Sequence, residues 1–339
     1  MNILILSATE NKNSLKIKAE ATKRGHKVDI LSPNDFLVVF ADGKTNCYVQ
    51  KEHVNCSSYD AVIPRLGSIT SFGVHLLRHF VTHSNIVTTA YPEGILKASD
   101  KLRTTLELNA AGIRIPKTAT VRVPDNFKFL TDSVGGLPCI AKTVTGSQGN
   151  GVYIFETELQ SSVTLKNLRK DNKNLIVQQF IETAEEDNRK NDIRAWVVGD
   201  RVVAAFKRLS TDSDFRSNYS ISKAGEKVTL TNEEKQMAVS AAQTLSLPCA
   251  GVDIARNAKE KLKPYIIEVN SNASLTGIEK VTGVNISKYI IDWVEKVHAA
   301  KKVKTEHKIL KSYQPLNDSD LYVYEFKKAI EGMLQSMGY

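Results

Sequence analysis

Oxygen-bearing side chains occur at spacings that could hold a metal ion in two apolar runs of the C-terminal half. Glu268 and Asn270 lie two residues apart in one run, and Asp253 lies in the other. Because side chains alternate faces along a strand, Glu268 and Asn270 are predicted to share one face, with Ile267 and Val269 directed into a core. If the runs pair as neighbouring strands, Asp253 joins the set. It would then suit Mg²⁺, which takes one or two carboxylates together with nucleotide phosphates; the polar side of an edge pair is the open alternative.

A glycine-rich segment links two further apolar runs. Lys142 ends the first run, and Gly146, Gly149 and Gly151 follow it. Such a loop exposes consecutive backbone N–H groups that can hold phosphate oxygens, and a lysine at its start can neutralise phosphate charge. The spacing matches neither the P-loop nor the dinucleotide-binding pattern. The segment therefore indicates a phosphate-binding flap of another kind, with a plain hairpin loop as the equal alternative.

The composition is that of an ordinary globular protein without a membrane span. Of 339 residues, 42% are hydrophobic and 24% charged, and the net charge of +9 favours anionic ligands without choosing among them. There is no apolar run long enough to cross a bilayer, and the N-terminus does not resemble a signal peptide. We expect a cytoplasmic protein with no membrane partner.

Cysteine and histidine spacing gives no zinc motif. The four cysteines lack C-x-x-C spacing, which predicts packing residues in a reducing compartment; they are Cys47, Cys56, Cys139 and Cys249. His75, His79 and His83 fall four apart on one predicted helix. Nothing in that segment completes a metal shell, so a polar helix face is the preferred interpretation over zinc.

The first part of the chain, residues 1–95, alternates short apolar strands with helical segments. This rhythm predicts an α/β domain with a parallel sheet. Its first strand-to-helix turn, residues 8–12, contains no glycine, so a nicotinamide dinucleotide site there is not expected.

From residue 96 onward strands dominate, with helices packed on them, which predicts an α+β fold in two subdomains, 96–175 and 176–300. Asp100 is expected to cap a helix that stops at Gly112, and Thr231 with Glu234 forms a capping box for another. We expect a hairpin with its turn at Gly199-Asp200, and a helix over about 285–300.

The final segment, residues 301–339, is predicted to be a tail. Residues 301–311 hold five lysines, read as a solvated basic connector. Beyond it, apolar residues at spacings of three and four predict an amphipathic helix over about 318–337.

Taken in order, these motifs resemble the ATP-grasp ligases, and more closely the ribosomal protein S6 modification (glutamate ligase, RimK-like) family. The resemblance covers about residues 1–298. It is carried by the segments 64–67, 99–103, 142–151, 177–181, 192–194, 214–218, 251–253, 268–270 and 277–283.

The resemblance implies a role for each matching residue. ATP would be bound by Lys101, Lys142, Gly146, Ser147, Gln148, Gly149, Gly151, Gln179, Phe180, Ile181, Asp192, Arg216 and Asn218. Asp253, Glu268 and Asn270 would hold the metal, and Arg216, Lys142 and Asn218 would be catalytic. Arg65, Arg194 and Arg208 are further candidates for binding substrate carboxylates, since a guanidinium can bind a carboxylate through two parallel hydrogen bonds, with a surface ion pair as the alternative for any one of them.

The implied activity is ATP- and Mg²⁺-dependent formation of an amide or peptide bond through an acyl phosphate. Two ions are expected, with Mn²⁺ as a substitute. The expected substrates are an amino acid, L-glutamate in the first place, and a peptide or protein C-terminus. A ligase for small amino acids, a peptide cofactor or a carrier protein is the alternative enzyme. A nucleic-acid-binding module and a nucleotide-binding scaffold without turnover are less favoured, and a homo-oligomer stays open.

Some segments depart from the family pattern. Residues 182–192 are longer than usual, the metal strand continues as Ser271-Asn272-Ala273-Ser274-Leu275, and Lys207 stands where an acidic residue is expected. These departures concern the substrate side, so the identity of the accepting amine is left open.

Overall fold

The computed structural model describes residues 1–50, 52–67, 70–83, 86–120, 127–146, 151–170, 174–183, 191–209 and 225–312. The family's expected architecture is present: a parallel N-terminal sheet is followed by two antiparallel sheets. The elements of the first 99 residues are β1 (Asn2–Ser7), α1 (Lys12–Lys23), β2 (Lys27–Leu31), β3 (Phe36–Ala41), β4 (Lys44–Val49), β5 (Glu52–Val54), β6 (Ala61–Arg65), α2 (Thr70–His83), β7 (Val87–Thr88) and α3 (Pro92–Ser99).

The N-terminal sheet is parallel, as predicted, with strand order β2-β1-β6-β7. Its central strand β1 is apolar at nearly every position because both faces of the sheet are covered, and Ile3, Leu4 and Ile5 are fully buried. Helix α1 is capped by Asn11, whose side chain accepts hydrogen bonds from the backbone N–H groups of Asn13 and Ser14.

A second sheet in this region, β3-β4-β5, was not predicted. It is antiparallel, and its first hairpin turns at Asp42 and Gly43, both at positive φ. An Asp-Gly pair between two apolar runs is a strong hairpin signal. The sheet lies over α2, where Phe36 and Phe80 make an edge-to-face ring contact with centroids 6.2 Å apart.

The middle of the chain forms a four-stranded antiparallel sheet with strand order β10-β9-β11-β8. The predicted cap at Asp100 is confirmed, since its side chain accepts a hydrogen bond from the backbone of Arg103, and Gly112 follows the helix at positive φ. Two short helices cover this sheet and were not predicted. The elements are α4 (Lys101–Ala110), β8 (Thr118–Thr120), α5 (Phe127–Ser133), β9 (Cys139–Thr143), β10 (Val152–Phe155), α6 (Glu158–Lys170) and β11 (Leu175–Gln179).

The C-terminal part forms a five-stranded antiparallel sheet with strand order β14-β13-β12-β15-β16. The hairpin at Gly199-Asp200 and the Thr231–Glu234 capping box are both confirmed. The elements are β12 (Asn191–Val198), β13 (Arg201–Leu209), β14 (Gly225–Lys227), α7 (Asn232–Thr244), β15 (Cys249–Asn257), β16 (Lys263–Asn270), α8 (Thr276–Thr282) and α9 (Ile286–Ser312).

Helix α9 packs against the N-terminal strand β1. Its Ile286, Ile290 and Val294 are buried in the same core cluster as Ile3 and Ile5 of β1. The helix continues through the lysine-rich stretch to Ser312, so the expectation of a connector from residue 301 is wrong for residues 301–312. The amphipathic helix predicted over 318–337 lies outside the described residues. Within the described part of the chain, no helix has the length and apolar character needed to cross a bilayer.

Candidate active site

The three predicted metal ligands lie together on the paired strands β15 and β16. Asp253 is directly opposite Glu268 in the register, and Asn270 is opposite Gly251. Residues opposite each other in an antiparallel pair share a face, so the three side chains lie on one side. The Asn270 amide nitrogen is 3.5 Å from an Asp253 carboxylate oxygen.

A β-bulge creates this arrangement. The register shifts by one residue after Asp253, and Ile267 is the extra residue on β16. Without the shift, Asp253 would face Ile267 and Glu268 would lie on the opposite face, because side chains alternate. Ile267 therefore does not point into the core with Val269 as predicted. It is half-buried and packs against Ile181 and Tyr265.

A second bulge places an arginine beside the same site. Between Trp196 and Val197 the β12–β13 register shifts by one, which brings Arg208 opposite Asp192. Both side chains are buried, and the Arg208 guanidinium forms a fork-like pair with the Asp192 carboxylate, including an Nε–Oδ1 hydrogen bond of 2.8 Å. The shift decides which basic residue lies opposite Asp192. Without it, Lys207 would occupy that position instead of Arg208.

Asp253 is the centre of an ion-pair network. Arg194 donates to both of its oxygens, at 2.5 and 2.6 Å, and Arg208 donates to its Oδ2 at 2.9 Å. Burial acts to raise the pKa of Asp253, and the two guanidinium groups outweigh it, so the pKa lies below its ordinary value. Asp253 is thus held as a carboxylate, the form that binds a metal ion.

Cationic groups face this network from the four-stranded sheet. Lys142 on β9 is close enough to Glu268, Asp253 and Asp192 for their charges to raise its pKa, but desolvation is the larger effect and the pKa of Lys142 is lowered. Lys101, at the start of α4, also acts to lower it. The two lysines and the carboxylates therefore lie around one space between the sheets.

The described ends of the glycine-rich loop have the backbone freedom that the sequence predicts. Gly146 and Gly151 both have positive φ, of 137° and 78°. A Cβ at Gly151 would lie 2.2 Å from Thr143 Oγ1, so only glycine fits. The Lys101 ammonium donates to the Gly146 carbonyl at 2.9 Å, which fixes the start of the loop next to α4.

The predicted hinge lies where the chain passes from one sheet to the other. Gln179 ends β11, and its N–H donates to the carbonyl of Lys117. Ile181 is buried against β15 and β16, and the Glu182 carbonyl accepts a hydrogen bond from Ala258 N–H at 2.8 Å. Phe180, between them, is half-buried. The segment is positioned to line the space between the sheets.

Arg65, at the end of β6, lies on the N-terminal side of the same region. It is 7% exposed, and its Nη2 donates to the carbonyl of Ala273 at 2.7 Å. Within the described residues its Nε has no hydrogen-bond partner. Burial lowers its pKa to about 10. A buried guanidinium with an unused donor is suited to bind a carboxylate from outside the chain.

The sequence did not reveal how Arg65 and the metal strands are connected. A Cβ at Gly251 would lie 2.4 Å from the Cβ of Ala273 and 3.0 Å from Cδ of Arg194. Glycine at this position therefore lets residue 273 come close to the sheet, and the same residue supplies the carbonyl that holds Arg65. A glycine one residue before a buried Val-Asp pair is the signal that could have indicated the close approach.

Five predicted site residues lie outside the described residues; they are Ser147, Gln148, Gly149, Arg216 and Asn218. A cavity of about 670 Å³ opens elsewhere, lined by residues of α2, α3 and α9 such as Arg78, Glu93 and Trp293. It contains no predicted site residue.

Two antiparallel sheets with lysines on one side and a carboxylate cluster on the other, preceded by a parallel domain, define the ATP-grasp class. Solved structures agree. The ATP-grasp ligase PsnB complexed with minimal precursor superposes with a TM-score of 0.67 at 17% identity, covering 88% of this chain and 98% of that one. The D-alanine-D-alanine ligase from Coxiella burnetii gives 0.61 at 13% identity, covering 90% and 97%. At such identities the likeness concerns the fold.

The family follows from the sequence comparisons. Residues 98–294 match the RimK-like ATP-grasp domain, and residues 1–95 match the RimK PreATP-grasp domain. A probable alpha-L-glutamate ligase of Legionella pneumophila is 37% identical over 311 residues, covering 91% of this chain and 99% of that protein. One from Citrobacter koseri is 37% identical over 302 residues, covering 87% and 96%. The chain belongs to the RimK-like ATP-grasp family.

Proposed function

We propose that the chain is an ATP- and Mg²⁺-dependent carboxylate–amine ligase that adds L-glutamate to the C-terminus of a protein or peptide. The observation that carries the proposal is the convergence of two lysines, Lys101 and Lys142, with the carboxylates Asp253 and Glu268 across the gap between two sheets. The names of the relatives, probable alpha-L-glutamate ligases, supply the amino acid.

The donor set fits magnesium. Asp253, Glu268 and Asn270 offer only oxygen ligands on one face, and the network around Asp253 keeps it ionised. These three residues would hold the metal, which when bound would neutralise charge on the terminal phosphates of ATP. We further propose two ions, with Mn²⁺ able to replace Mg²⁺.

Lys101 and Lys142 would bind the phosphates of ATP. Phosphoryl transfer needs positioning and charge neutralisation more than covalent help from the protein. Lys142 is partly buried near the charges of Glu268, Asp253 and Asp192. The Lys101 ammonium donates to the Gly146 carbonyl at the start of the phosphate-binding loop. Residues 179–181 would contact the adenine, and Asp192 the ribose side.

The reaction proceeds in two steps. A carboxylate oxygen of the acceptor C-terminus attacks the γ-phosphorus of ATP, which breaks the bond to ADP and gives an acyl phosphate. The amino group of glutamate then attacks the acyl carbon, phosphate leaves, and the amine loses a proton. One ATP becomes ADP and phosphate for each amide bond formed.

Arg65 would bind a carboxylate of the incoming amino acid or of the peptide. Its Nε has no hydrogen-bond partner among the described residues. Its Nη2 donates to the carbonyl of Ala273, in the segment that follows β16. Arg194 and Arg208 already bind carboxylates of the chain itself, so we assign them the role of positioning Asp253 and Asp192. Their direct contact with substrate stays a prediction, as do the catalytic roles of Arg216 and Asn218.

The proposal also includes the cellular compartment and the oligomeric state. All four cysteines are free thiols, which suits a cytoplasmic enzyme. A homo-oligomer stays a further expectation.

The experiment measures ADP release and product mass. The protein is incubated with ATP, Mg²⁺ and each amino acid in turn, with and without a peptide ending in glutamate. We expect ADP release that requires both L-glutamate and the peptide, and a peptide mass that rises by glutamate-sized increments. Release with another amino acid and no peptide gain would move the assignment to the small-molecule ligase.

A matched pair of variants tests the site. Glu268→Gln should lower turnover by on the order of 100-fold, because the ion loses a charged ligand. Glu260→Gln lies at the turn of the same hairpin, where Glu260 bonds Asn257, Lys263 and Tyr265, and should keep the wild-type rate. Equal rates in the two variants would contradict the proposed metal site.

A further inference from the structure

Three metal-binding side chains converge in the N-terminal region, away from the active site. They are Cys47 on β4, Cys56 at the start of a short 3₁₀ turn, and His79 on α2. One ligand atom from each lies within 4.8 Å of the ligand atoms of the other two. We propose that these residues form a zinc site that binds Zn²⁺ with two thiolates and one imidazole, and leaves the fourth position to water.

The geometry is close to what zinc needs. With Zn–S bonds of about 2.3 Å and Zn–N bonds of about 2.0 Å, tetrahedral coordination places ligand atoms about 3.5–3.8 Å apart. The observed limit of 4.8 Å therefore requires side-chain movements of on the order of 1 Å. Two thiolates also neutralise the charge of the ion, which matters in a buried position.

The backbone fixes two of the ligands. Cys47 is opposite Val54 in the β4–β5 register, and Cys56 follows Val54 by two residues, so both lie at the same end of this sheet. Asn55 caps the 3₁₀ turn by accepting a hydrogen bond from Ser57 N–H, which holds Cys56 in place. The site thus depends on local structure that the sequence supplies without metal.

The surroundings provide both a dry wall and an entry path. Cys47 is 1% exposed and belongs to the apolar core cluster that contains Phe36 and Phe80. Cys56 and His79 are only half-buried, so an ion can reach them from the surface. The thiols of Cys47 and Cys56 lie close enough to interact directly, as two ligands of one ion would.

Zinc here would add a link among β4, the 3₁₀ turn and α2. It would tie the β3-β4-β5 sheet to α2, the helix that begins a few residues after Arg65. Metal binding would then add to folding stability, because the unfolded chain has no assembled site. The inference is independent of the proposed ligase activity.

The test uses Co²⁺ as a spectroscopic substitute for Zn²⁺ in the full chain, fully reduced and freed of metal by a chelator. Excess Mg²⁺ and ADP keep the oxygen ligands of the active site occupied. We expect one equivalent of Co²⁺ to bind with a thiolate-to-metal charge-transfer band, and one equivalent of Zn²⁺ to remove it. The active site cannot give this band, since it offers oxygen ligands only.

Variants at the two half-buried ligands avoid disturbing the core. Cys56→Ser should abolish or strongly reduce the band, and His79→Gln should weaken Co²⁺ binding by on the order of 100-fold. Cys139→Ser and His75→Gln are the controls: Cys139 lies in the four-stranded sheet, and His75 is an exposed residue of the same helix. Both controls should bind as the wild type does.

Three results would each overturn the inference. The first is the absence of the band in protein whose four thiols are titratable. The second is an unchanged band in Cys56→Ser or unchanged affinity in His79→Gln. The third is a Cys47–Cys56 disulfide in the protein as isolated from cells, found by mass analysis of its peptides.

Discussion

Two buried arginines, Arg65 and Arg208, are equally inaccessible but lie in opposite electrostatic surroundings. Arg208 is 6% exposed and paired with Asp192 and Asp253. Arg65 is 7% exposed, and the hydrogen-bond acceptor that the structure describes for it is a backbone carbonyl. Burial acts to lower the pKa of both, but the carboxylates raise that of Arg208 above its ordinary value, while that of Arg65 falls. The difference separates a guanidinium that organises a site from one whose Nε has no hydrogen-bond partner among the described residues.

The largest expected effect is on stability, from Arg208→Leu. This change leaves Asp192 and Asp253 buried with less compensation, and breaking a buried pair from one side costs about 3–5 kcal/mol. Urea unfolding monitored by circular dichroism measures the loss. Arg201 is exposed on the same strand, with its guanidinium over the Tyr289 ring, and Arg201→Ala should change stability by less than about 1 kcal/mol. A loss below about 1 kcal/mol in Arg208→Leu would show that the network is not structural.

Arg65→Met should give the reverse result. Its stability should stay within about 1 kcal/mol of the wild type, because a buried charge without a carboxylate partner is replaced by an apolar chain of similar length. The KM for L-glutamate or for the peptide should rise about 10- to 150-fold, the equivalent of a lost charged hydrogen bond. Steady-state kinetics with each substrate varied measure this. Arg78→Met, exposed on α2, is the control; a stability loss in Arg65→Met without a KM change would reverse the comparison.

Gly251→Ala should affect both arginine environments at once. The added methyl would overlap the Cβ of Ala273 and press on the Arg194 side chain, and such overpacking costs about 1–3 kcal/mol. Because Ala273 also holds Arg65, the KM effect of Arg65→Met should appear here in weaker form. The double variant Gly251→Ala, Ala273→Gly should recover part of the stability. If Gly251→Ala alone is neutral, the close approach is not needed.

The smallest effect concerns Lys142, whose pKa is lowered from its ordinary 10.5. Between the folded-state pKa and 10.5, the unfolded chain binds the proton and the folded chain does not, so stability should rise with pH. Below the folded-state pKa, Lys142 is protonated in both the folded and the unfolded chain, so it contributes no change of stability with pH. Lys142→Met should remove this rise in urea unfolding followed from neutral pH upward, whereas Lys117→Met, an exposed lysine, should run parallel to the wild type. Parallel profiles for all three proteins would refute the pKa shift.

Features that depend on local signals were predictable from the sequence. Asp100, Gly112 and the Thr231–Glu234 pair placed the ends of helices correctly, because caps act within a few residues. The parallel character of the N-terminal sheet followed from the rhythm of strands and helices. The family resemblance was confirmed by matches that span both parts of the chain.

What the sequence did not reveal depends on register and tertiary contact. Both bulges shift a strand by one residue, and no residue type marks either position, so the pairs Asp253–Glu268 and Asp192–Arg208 could not be assigned. The cysteine spacing argued against a metal site, because spacing motifs detect only ligands that are close together in the sequence. His79 and Cys47 come together only after α2 packs on the sheet.

The way α9 packs on β1 has a consequence for synthesis on the ribosome. The apolar face formed by Ile3, Ile5 and Ile17 is covered by side chains around residues 286–294, nearly the last part of the described chain to be made. At a synthesis rate of about 5–20 residues per second, this face stays exposed for roughly 10–60 s until residues 286–294 have been made. Ribosome-bound chains ending near residue 95 should therefore be cleaved by a protease that spares the finished protein. During that interval the nascent N-terminal domain exposes an apolar surface, which is the kind of surface that chaperones bind.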